Sequence, residues 1–403
     1  MTPSPDSGAA DGFDPQASLP GAPVPWRGSP MPPLRAGPPW LMTDMIAAEP
    51  AFAARLLRRL AADDGPAARL SAEILRTATA GDPIRVVGCG TSEHGAQATA
   101  LILEHALRRR TGHAASVEAV QAFEAALAPG RGGLVIGISH EGGTWATNRA
   151  LEAAIAAGSR TALVTAAGGS PGAGLVDLVV TTDEMDQSWC HTVGYLSPIL
   201  AATAVAGHLL ERRPDPETVR AALAAGAAGT AGAEAAATRL ATAGHLIVIA
   251  SGADRPAARE LALKVEEATW LPATMRDLET FLHGHLPATG PGSALVLILT
   301  DADGLEARAE RAAEALAAAQ AVGLTALAIL GDAAHAELLH APTPAGRLRA
   351  AIPAGLEGPA AALLASATPL QLLTERLARA RGTNPDPIRR HQAAWLEAAR
   401  RHR

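Results

Sequence analysis

Lysine is almost missing from this chain: of its 34 lysines and arginines in 403 residues, all but Lys264 are arginine. Arginine therefore fills nearly every basic position, and the single ammonium calls for a reason. Lysine is a compact point charge whose pKa moves readily on burial, whereas the guanidinium of arginine is planar and permanently charged. Lys264 either has a chemical task or is a lysine that codon bias left on a helix surface.

Aromatic residues, cysteine and positive charge are also scarce. Aromatics make up 3% of the chain, so its cores must be built mainly from Ala, Leu and Val. Two cysteines, Cys89 and Cys190, cannot form a disulfide framework, which fits a reducing cytoplasm. A net charge of −6 argues against a nucleic-acid partner, because phosphate backbones need clustered basic surface. We expect a cytoplasmic protein whose partner is a small molecule.

Long apolar runs and a targeting signal are missing as well. The first forty residues hold eleven prolines, with no positively charged start and no apolar stretch. This composition excludes a secretory signal and predicts a disordered tail over residues 1–40. No later stretch reaches the roughly 18 to 20 apolar residues that span a membrane. We therefore expect a soluble protein with no membrane partner.

Short apolar runs alternate with helical segments after residue 41. IRVVGCG, GLVIGIS and RTALVTA are predicted strands of the first half, and HLIVIASG, SALVLILT and TALAIL repeat the plan in the second. This repetition indicates an internal duplication. The alternation predicts an α/β fold of two tandem, doubly wound parallel sheets, flavodoxin-like and with three αβα layers. We place the first domain, with its N-terminal helices, at 41–215, the second at 216–377, and a C-terminal tail near the active site at 378–403.

Two loops follow strands of the first half, at the edge where parallel sheets bind ligands and helices begin. In GCGTSEHG, glycines permit close backbone approach and hydroxyls stand at a helix start; in SHEGGT, a serine and a threonine flank a glycine pair. The candidate ligand-binding residues are Gly90, Thr91, Ser92, Ser139, His140, Glu141, Gly142 and Thr144. The alternative is that these residues only cap the helices that follow.

These loops, together with LALKVEE and FLHGH in the second half, resemble the three signatures of the sugar isomerase (SIS) double-domain family. Those signatures read roughly GCGTS, SxSGET and ALKxKE followed by HGP. The resemblance covers residues 42–392 and takes in MTDMIAAEP near its start and NPD near its end. It implies two SIS domains like those of the isomerase half of glucosamine-6-phosphate synthase. The glutaminase half of such synthases has no counterpart here, so glutamine-dependent amination by this chain alone is not expected.

The resemblance also implies roles for individual residues. Glu267 matches the base that moves a proton between C1 and C2, and His283 matches the histidine that helps to open the sugar ring. In the family this histidine comes from the neighbouring subunit, which implies a homodimer. Lys264 lies three residues before Glu267 on one helical face, where an ammonium favours the ionised carboxylate and burial opposes it. The alternative for this pair is a surface salt bridge. The positions that hold the sugar and its phosphate are matched by Ser92, Ser139 and Thr144.

The chain departs from the family pattern at the ligand loop. Glu141 stands where a phosphate-binding serine is expected, and Gly143 stands where the motif has glutamate. A carboxylate about 4 Å from a phosphate is repelled by a few kcal/mol at an effective dielectric near 20. Glu141 therefore either binds a hydroxyl or amine of an unphosphorylated sugar or amino sugar, or it caps the following helix or faces solvent.

Further candidates lie in a polar segment late in the first half and in the tail. The segment DEMDQSWCHTVGYLSP resembles a family loop that lines the sugar site, which adds Ser188, His191 and Trp189, although Trp189 is equally explained as a core residue. The tail has no lysine where synthase-like enzymes carry one, which leaves Arg390 or His391 as partial substitutes. His283 and His285 have no further ligand at recognisable spacing, so we expect no metal and no cofactor.

The sequence thus predicts a sugar aldose–ketose isomerase or amino-sugar deaminase that works through an enediol or enolamine, with a sugar or sugar phosphate as its ligand. One alternative is a non-catalytic SIS protein that binds a carbohydrate derivative. Another is an isomerase of unphosphorylated sugars.

Overall fold

The structure, a computed structural model, describes residues 12–113 and 116–401. The first half contains, in chain order, α1 (Leu41–Leu60), α2 (Pro66–Thr79), β1 (Ile84–Gly88), α3 (Thr91–Thr111), β2 (Val117–Gln121), α4 (Ala122–Leu127), β3 (Leu134–Ile138), α5 (Trp145–Ala156), β4 (Arg160–Thr165), β5 (Leu178–Thr181) and α6 (Val193–Leu209). The second half contains α7 (Pro216–Ala227), α8 (Thr230–Leu240), β6 (His245–Ala250), α9 (Arg255–Thr269), β7 (Ala273–Asp277), α10 (Leu278–Thr280), β8 (Ser293–Leu299), α11 (Leu305–Ala321), β9 (Thr325–Leu330), α12 (Asp332–Glu337), β10 (Gly346–Arg349), α13 (Gly358–Ala380) and α14 (Ala393–Arg400).

Each half is built on one five-stranded sheet in which every neighbouring pair of strands is parallel. The first sheet has the order β2-β1-β3-β4-β5 and the second has the order β7-β6-β8-β9-β10. Counted from the first strand of each half, both orders are the same, and this is the order of flavodoxin-like sheets. The predicted fold class of two tandem α/β domains is confirmed.

The central strands are buried because helices cover both faces of each sheet. Every residue of β3 is buried, and so is every residue of β6 except His245. Such strands appear in the sequence as continuous apolar runs, as expected for parallel sheets. The helices that cover them contribute mainly alanine and leucine to the core, so small aliphatic side chains replace the scarce aromatics.

The two halves share one hydrophobic cluster. Helices α3 and α6 of the first half and α9 and α13 of the second half pack together at this boundary. Helix α13 is buried along almost its whole length. The amino-terminal turn of α3 and the side chains of α9 are therefore held in a fixed relation to each other.

The N-terminal segment corrects one expectation. Leu19 is 7% exposed and packs into the core of the first half. Its backbone N–H donates to the Glu184 carboxylate at 2.8 Å, and the N–H of Met185 donates to the Pro20 carbonyl at 2.8 Å. The expected disorder is therefore wrong for residues 12–40. Proline restricts the unfolded chain, so an extended proline-rich segment loses less conformational entropy when it becomes ordered. Residues 1–11 of the expected tail lie outside the described residues.

The structure also bears on the expected absence of membrane spans and disulfides. None of the helices within the described ranges is long and apolar enough to cross a bilayer. Cys89 and Cys190 are both free thiols, and burial raises the pKa of each. Because the thiolate is the reactive form, neither cysteine is an activated nucleophile at neutral pH.

Candidate active site

Lys264 lies inside the protein rather than on a helix surface. Its side chain is 1% exposed, and its Nζ lies 2.5 Å from Oε2 of Glu267 and 3.6 Å from Oε1 of Glu260. The three residues share one face of α9 because they are three and four positions apart. The surface-salt-bridge alternative is therefore wrong, and so is the alternative of a stray surface lysine.

Glu260 ties this helix to the first half of the chain. Its Oε2 lies 2.7 Å from Nδ1 of His94, and its Oε1 accepts a hydrogen bond from the Thr91 hydroxyl at 3.2 Å. Both partners lie in the first turns of α3, directly after the GCG bend. Glu260 and His94 were not predicted, although an acid four residues before Lys264 was a usable signal. Thr91, a predicted ligand-binding residue, thus positions the Lys264 cluster.

The charges of this cluster are set by burial and by mutual attraction. Burial alone would lower the pKa of Lys264, but the carboxylates of Glu267 and Glu260 outweigh it and raise that pKa. Burial also disfavours ionisation of Glu260, but the Lys264 ammonium and the His94 contact lower its pKa overall. At Glu267 burial prevails and raises the pKa, and Lys264 offsets only part of that rise. The cluster thus combines a charged Lys264, a Glu260 whose pKa is lowered and a Glu267 whose pKa is raised. A raised proton affinity at Glu267 suits a general base.

The loop after β1 bends sharply to begin α3. A side chain at Gly88 would place its Cβ 2.2 Å from the carbonyl oxygen of Ser92, so only glycine fits there. Gly90 has a φ of 57° and a ψ of −128°, a conformation that favours glycine. The bend brings Gly90 and the partly exposed Ser92 to the carboxyl edge of the first sheet, as the sequence predicted for a ligand loop.

The loop after β3 is organised from within. Ser139 is fully buried, and its hydroxyl donates to Oγ1 of Thr144 at 3.2 Å. Gly142 has a φ of 67°, and a Cβ at this position would lie 1.9 Å from Oγ of Ser170. Thr144 is exposed and stands directly before α5. Thr144 and the first residue of α5 are therefore the exposed parts of this loop, with Ser139 supporting them, and their contact with a ligand stays a prediction.

His140 and His191 form a close pair between this loop and the Lys264 cluster, with ring centroids 5.1 Å apart. Nε2 of His140 accepts a hydrogen bond from the N–H of Asp186 at 2.9 Å, so the ring proton lies on Nδ1. Burial lowers the pKa of His140 to about 4. Burial, followed by the His140 and Lys264 charges, lowers the pKa of His191 as well. Both rings are neutral at pH 7 and supply no positive charge to an anionic ligand.

The segment before α6 is held by the carboxylate of Asp186, which accepts from the N–H groups of Ser188 at 3.0 Å and Thr192 at 2.7 Å. Ser188 is fully buried, and its hydroxyl accepts from the N–H of Cys190 at 3.2 Å. Ser188 therefore organises this segment, and its contact with a substrate stays a prediction.

Glu267 opens into a cleft of about 480 Å³ between α9 and the C-terminal segment. Its side chain is 22% exposed, in contrast to its two buried neighbours in the cluster. On the opposite side of this cleft, the guanidinium of Arg389 lies 4.5 Å from the ring centroid of Trp270 and 3.5 Å from that of Trp395. The tail predicted to lie near the active site thus forms one wall of the cleft.

The two residues expected to substitute for a tail lysine lie in the same region. Arg390 lines the cleft, and its guanidinium is 5.2 Å from the ring centroid of Trp189. His391 is exposed, with its ring centroid 6.1 Å from that of Trp270. Arg389 was not predicted, because its φ of 65° reflects a sharp turn of the tail that no sequence pattern indicates.

His283 lies apart from Glu267 within the chain. It follows β7, its side chain is 69% exposed, and its Nε2 lies 2.8 Å from Oε1 of Glu279. Among the described residues that line the Glu267 cleft, His283 is absent. Its donation to the site of a second subunit stays a prediction. Within residues 12–113 and 116–401, no three His, Cys, Asp or Glu side chains are placed to hold a metal ion.

Glu141 neither caps α5, whose N-cap is Thr144, nor points freely into solvent. Its backbone carbonyl accepts a hydrogen bond from Nε1 of Trp26 at 2.9 Å, and its Oε2 accepts from the N–H of Ser29 at 3.4 Å. The N-terminal segment therefore engages the residue that departs from the family pattern. A contact between Glu141 and a sugar hydroxyl or amine stays a prediction.

Comparison with known proteins is consistent with this geometry. The SIS domain family model matches residues 79–212 and 239–335, which is more than half of the chain. The chain belongs to the SIS family. No curated protein matches this SIS protein in sequence.

Solved structures extend the likeness over both halves of the SIS protein. The C-terminal domain of glucosamine-fructose-6-phosphate aminotransferase from Francisella tularensis has a TM-score of 0.72 and 17% identity, covering 87% of this chain and 99% of that one. Tagatose-6-phosphate ketose/aldose isomerase from Escherichia coli has a TM-score of 0.67 and 16% identity, covering 88% and 97%. Glucosamine-6-phosphate deaminase from Thermotoga maritima has a TM-score of 0.63 and 16% identity, covering 86% and 96%. At these identities the likeness establishes the shared fold alone.

Proposed function

We propose that this SIS protein is a sugar-phosphate aldose–ketose isomerase or amino-sugar-phosphate deaminase in which Glu267 is the proton-transferring base. The observation that carries the proposal is the asymmetry of the Lys264 cluster. Lys264 and Glu260 are buried, whereas Glu267, whose Oε2 lies 2.5 Å from Nζ of Lys264, has a raised pKa and is the member of the cluster that faces a cleft of about 480 Å³. A raised pKa on a carboxylate that faces a cleft is typical of functional sites.

In the proposed reaction, Glu267 removes the proton from C2 of the open-chain sugar and returns it to C1. The C2–H electron pair becomes the C1–C2 double bond of an enediol while the C1 carbonyl oxygen takes up a proton. When Glu267 protonates C1, the C2 hydroxyl gives up its proton and becomes the carbonyl of the ketose. Lys264 keeps its own proton and favours the carboxylate form of Glu267 in the resting site. The amino-terminal turns of α3 and α5 would stabilise negative charge that develops on the sugar oxygens.

A phosphorylated substrate is supported by the names of similar structures, which act on glucosamine-6-phosphate and tagatose-6-phosphate. In this proposal, Thr144 and the start of α5 bind the phosphate, and Ser92 binds the sugar, although none of these residues lines the Glu267 cleft. His283 of a second subunit assists ring opening, so the active form is a homodimer in the cytoplasm.

A thermal-shift screen would identify the ligand, because a compound that binds only the folded state raises the melting temperature. Sugars, sugar 6-phosphates and amino-sugar 6-phosphates should be compared at equal concentration. We expect stabilisation by one or more phosphorylated ketoses, aldoses or amino sugars. Stabilisation by unphosphorylated sugars alone would contradict the assignment of phosphate to the α5 loop.

A non-catalytic carbohydrate-binding protein is the second candidate, and one observation favours it. Among the described residues of one chain, no histidine lines the cleft, and His283 lies elsewhere. A binding protein would be stabilised by its ligand but would not exchange the C2 proton with solvent. Isotope exchange therefore separates the two candidates.

A further inference from the structure

Residues 13–40, here called the strap, run along the first half and cross the ligand loop at residues 139–144. The indole Nε1 of Trp26 donates to the carbonyl of Glu141 at 2.9 Å. The ring of Trp26 also lies directly over Gly143, where a Cβ would come within 2.4 Å of Cζ2. Any side chain at position 143 would force Trp26 off the loop, so strap and loop are fitted to each other.

The strap is anchored on both sides of this crossing. Before it, Arg55 donates to the carbonyls of Gln16 and Ala17, at 2.8 and 3.1 Å, and pairs with Glu184 at 2.8 Å. After it, Arg35 pairs with Asp44, a buried residue of α1, at 2.5 Å. Trp26 is therefore held at a defined position over the loop, although the strap has no helix or strand of its own.

The strap also contacts the charged side chain of this loop, the carboxylate of Glu141. Oε2 of Glu141 accepts from the backbone N–H of Ser29 at 3.4 Å, and Gly28 lies beside the same oxygen. A free glutamate at this position would repel an anion bound at Thr144 and the start of α5. Bound to the strap, the carboxylate has a hydrogen-bond donor of its own and a restricted position.

We propose that the strap is a specificity-determining element: Trp26 holds the backbone of Glu141 and the Ser29 N–H holds its carboxylate on the strap, so that the loop accepts a phosphorylated sugar. This inference rests on the proposed function, because it concerns the phosphate position of that same site. Trp26 and Ser29 are positioning residues that act through Glu141 and need not touch the substrate.

The test is a double-mutant cycle between the strap and Glu141. Trp26→Ala removes the indole donor, and Ser29→Pro removes the backbone N–H, with Ser29→Ala as the matched control that keeps it. Each is combined with Glu141→Gln, which keeps the side-chain shape and removes the charge. Binding is measured by calorimetry with inorganic phosphate and with the matched pair fructose 6-phosphate and fructose. Melting temperatures check that each variant is folded.

We expect Trp26→Ala and Ser29→Pro to weaken phosphate and fructose 6-phosphate binding about 10- to 100-fold, because a released carboxylate repels the anion. Fructose binding should stay unchanged, and Ser29→Ala should behave as wild type. Adding Glu141→Gln should restore phosphate binding to within about threefold of the wild type, because charge is the source of the repulsion. Folded strap variants with wild-type phosphate affinity, or a double variant as weak as Trp26→Ala alone, would overturn the inference.

The inference and the proposed function fail in different ways. If the strap variants bind phosphate normally while the wild type still exchanges the C2 proton of a sugar phosphate, only the inference is lost. If phosphate binding depends on the strap but no sugar phosphate exchanges its C2 proton, the proposed chemistry is lost and the specificity role stands.

Discussion

The two halves have the same strand order, but the loops after their third strands are stabilised differently. In the first half, the loop after β3 forms a hydrogen bond within itself, between Ser139 and Thr144, and binds no buried carboxylate from the described part of the chain. In the second half, the fully buried Asp254 accepts hydrogen bonds from the N–H groups of Thr300 and Asp301 at 2.7 and 3.0 Å. The loop after β3 therefore leaves the start of α5 free of such a carboxylate. In the loop after β8, the backbone N–H groups of Thr300 and Asp301 already bind Asp254.

A second carboxylate, that of Asp301 in the loop after β8, also binds donors of the second half. Oδ2 of Asp301 accepts from the N–H of Ala253 at 2.8 Å and from Arg308 at 2.5 Å. These donors stand at the end of β6 and the start of α11, the positions that in the first half begin α3 and α5. Backbone donors that already hold a carboxylate have no vacancy for a phosphate. The difference is consistent with the proposal that the first loop binds the ligand, whereas the backbone donors of the second loop are used within the protein.

In the proposed function, proton transfer belongs to Glu267 and to no acid of the second loop. Glu267→Gln should lower the rate by about 10² to 10⁴, the usual contribution of a positioned base, and leave substrate binding intact. Two controls should keep the wild-type rate: Glu266→Gln, on the same helix, and Asp303→Asn, on the second loop. Steady-state kinetics with the substrate found by thermal shift would measure this. A rate loss in Asp303→Asn as large as that in Glu267→Gln would break the comparison.

Lys264 should matter for both stability and the pH dependence of the rate. Lys264→Met leaves two carboxylates without their cation, and breaking a buried ion pair costs about 3 to 5 kcal/mol of unfolding free energy. Lys264 lowers the pKa of Glu267, so its loss should raise that pKa and shift the acid limb of the pH–rate profile to higher pH. Lys264→Arg keeps the charge but is larger, so it should slow turnover without that shift. Denaturant unfolding and pH–rate profiles would show this, and an unmoved limb in Lys264→Met would contradict it.

Side-chain removal should affect ligand binding in the loop after β3 but not in the loop after β8. Asp254→Ala leaves the N–H groups of Thr300 and Asp301 unpaired, at about 1 to 3 kcal/mol for each buried donor. It should lower stability and leave ligand affinity unchanged. Thr144→Ala, on the exposed side of the first loop, should weaken sugar-phosphate binding, and because it removes the acceptor of the buried Ser139 hydroxyl it should also lower stability by about 1 to 3 kcal/mol. Ligand affinity lost in Asp254→Ala, measured below its melting temperature, would show that the second loop also takes part in binding.

A smaller effect is expected in the pH dependence of stability. Burial raises the pKa of Asp254 to about 6 in the folded protein, above the roughly 3.9 of an unfolded aspartate. Between about pH 4 and about pH 6, Asp254 binds a proton in the folded state more than in the unfolded state. Its contribution to the free energy of unfolding is therefore complete below about pH 4 and declines as the pH rises to about 6. Asp254→Asn should remove this decline. Melting temperatures at pH 4 to 7 that fall equally in the variant and the wild type would show that another group is responsible.

The fold and the centre of the site could be predicted because both are local in the sequence. Apolar runs define the strands, and the spacing of Lys264 and Glu267 places them on one helical face. The missing parts depend on contacts between distant segments. His94 reaches Glu260 across the two halves, and Trp26 finds its position through Glu141, more than a hundred residues away. No periodicity indicates which distant partner a polar side chain will meet.

Residue type alone also misled the interpretation of the N-terminal segment. Proline and small residues are typical of disorder, and the few apolar anchors such as Leu19 are too widely spaced to form a pattern. The carboxylate-bound loop of the second half is equally hard to recognise, because Asp254 precedes α9 like an ordinary helix cap. Only the structure shows its carboxylate bound to the loop after β8.

The most direct test of the account is exchange at sugar C2 in D₂O, followed by proton NMR, with the sugar phosphate that stabilises the protein best. The wild type should replace the C2 proton with deuterium, Glu266→Gln should do so at the same rate, and Glu267→Gln should bind the same ligand while exchanging about 10² to 10⁴ times more slowly. A wild-type protein that binds the sugar phosphate and leaves its C2 proton in place would contradict the assignment of Glu267 as a base.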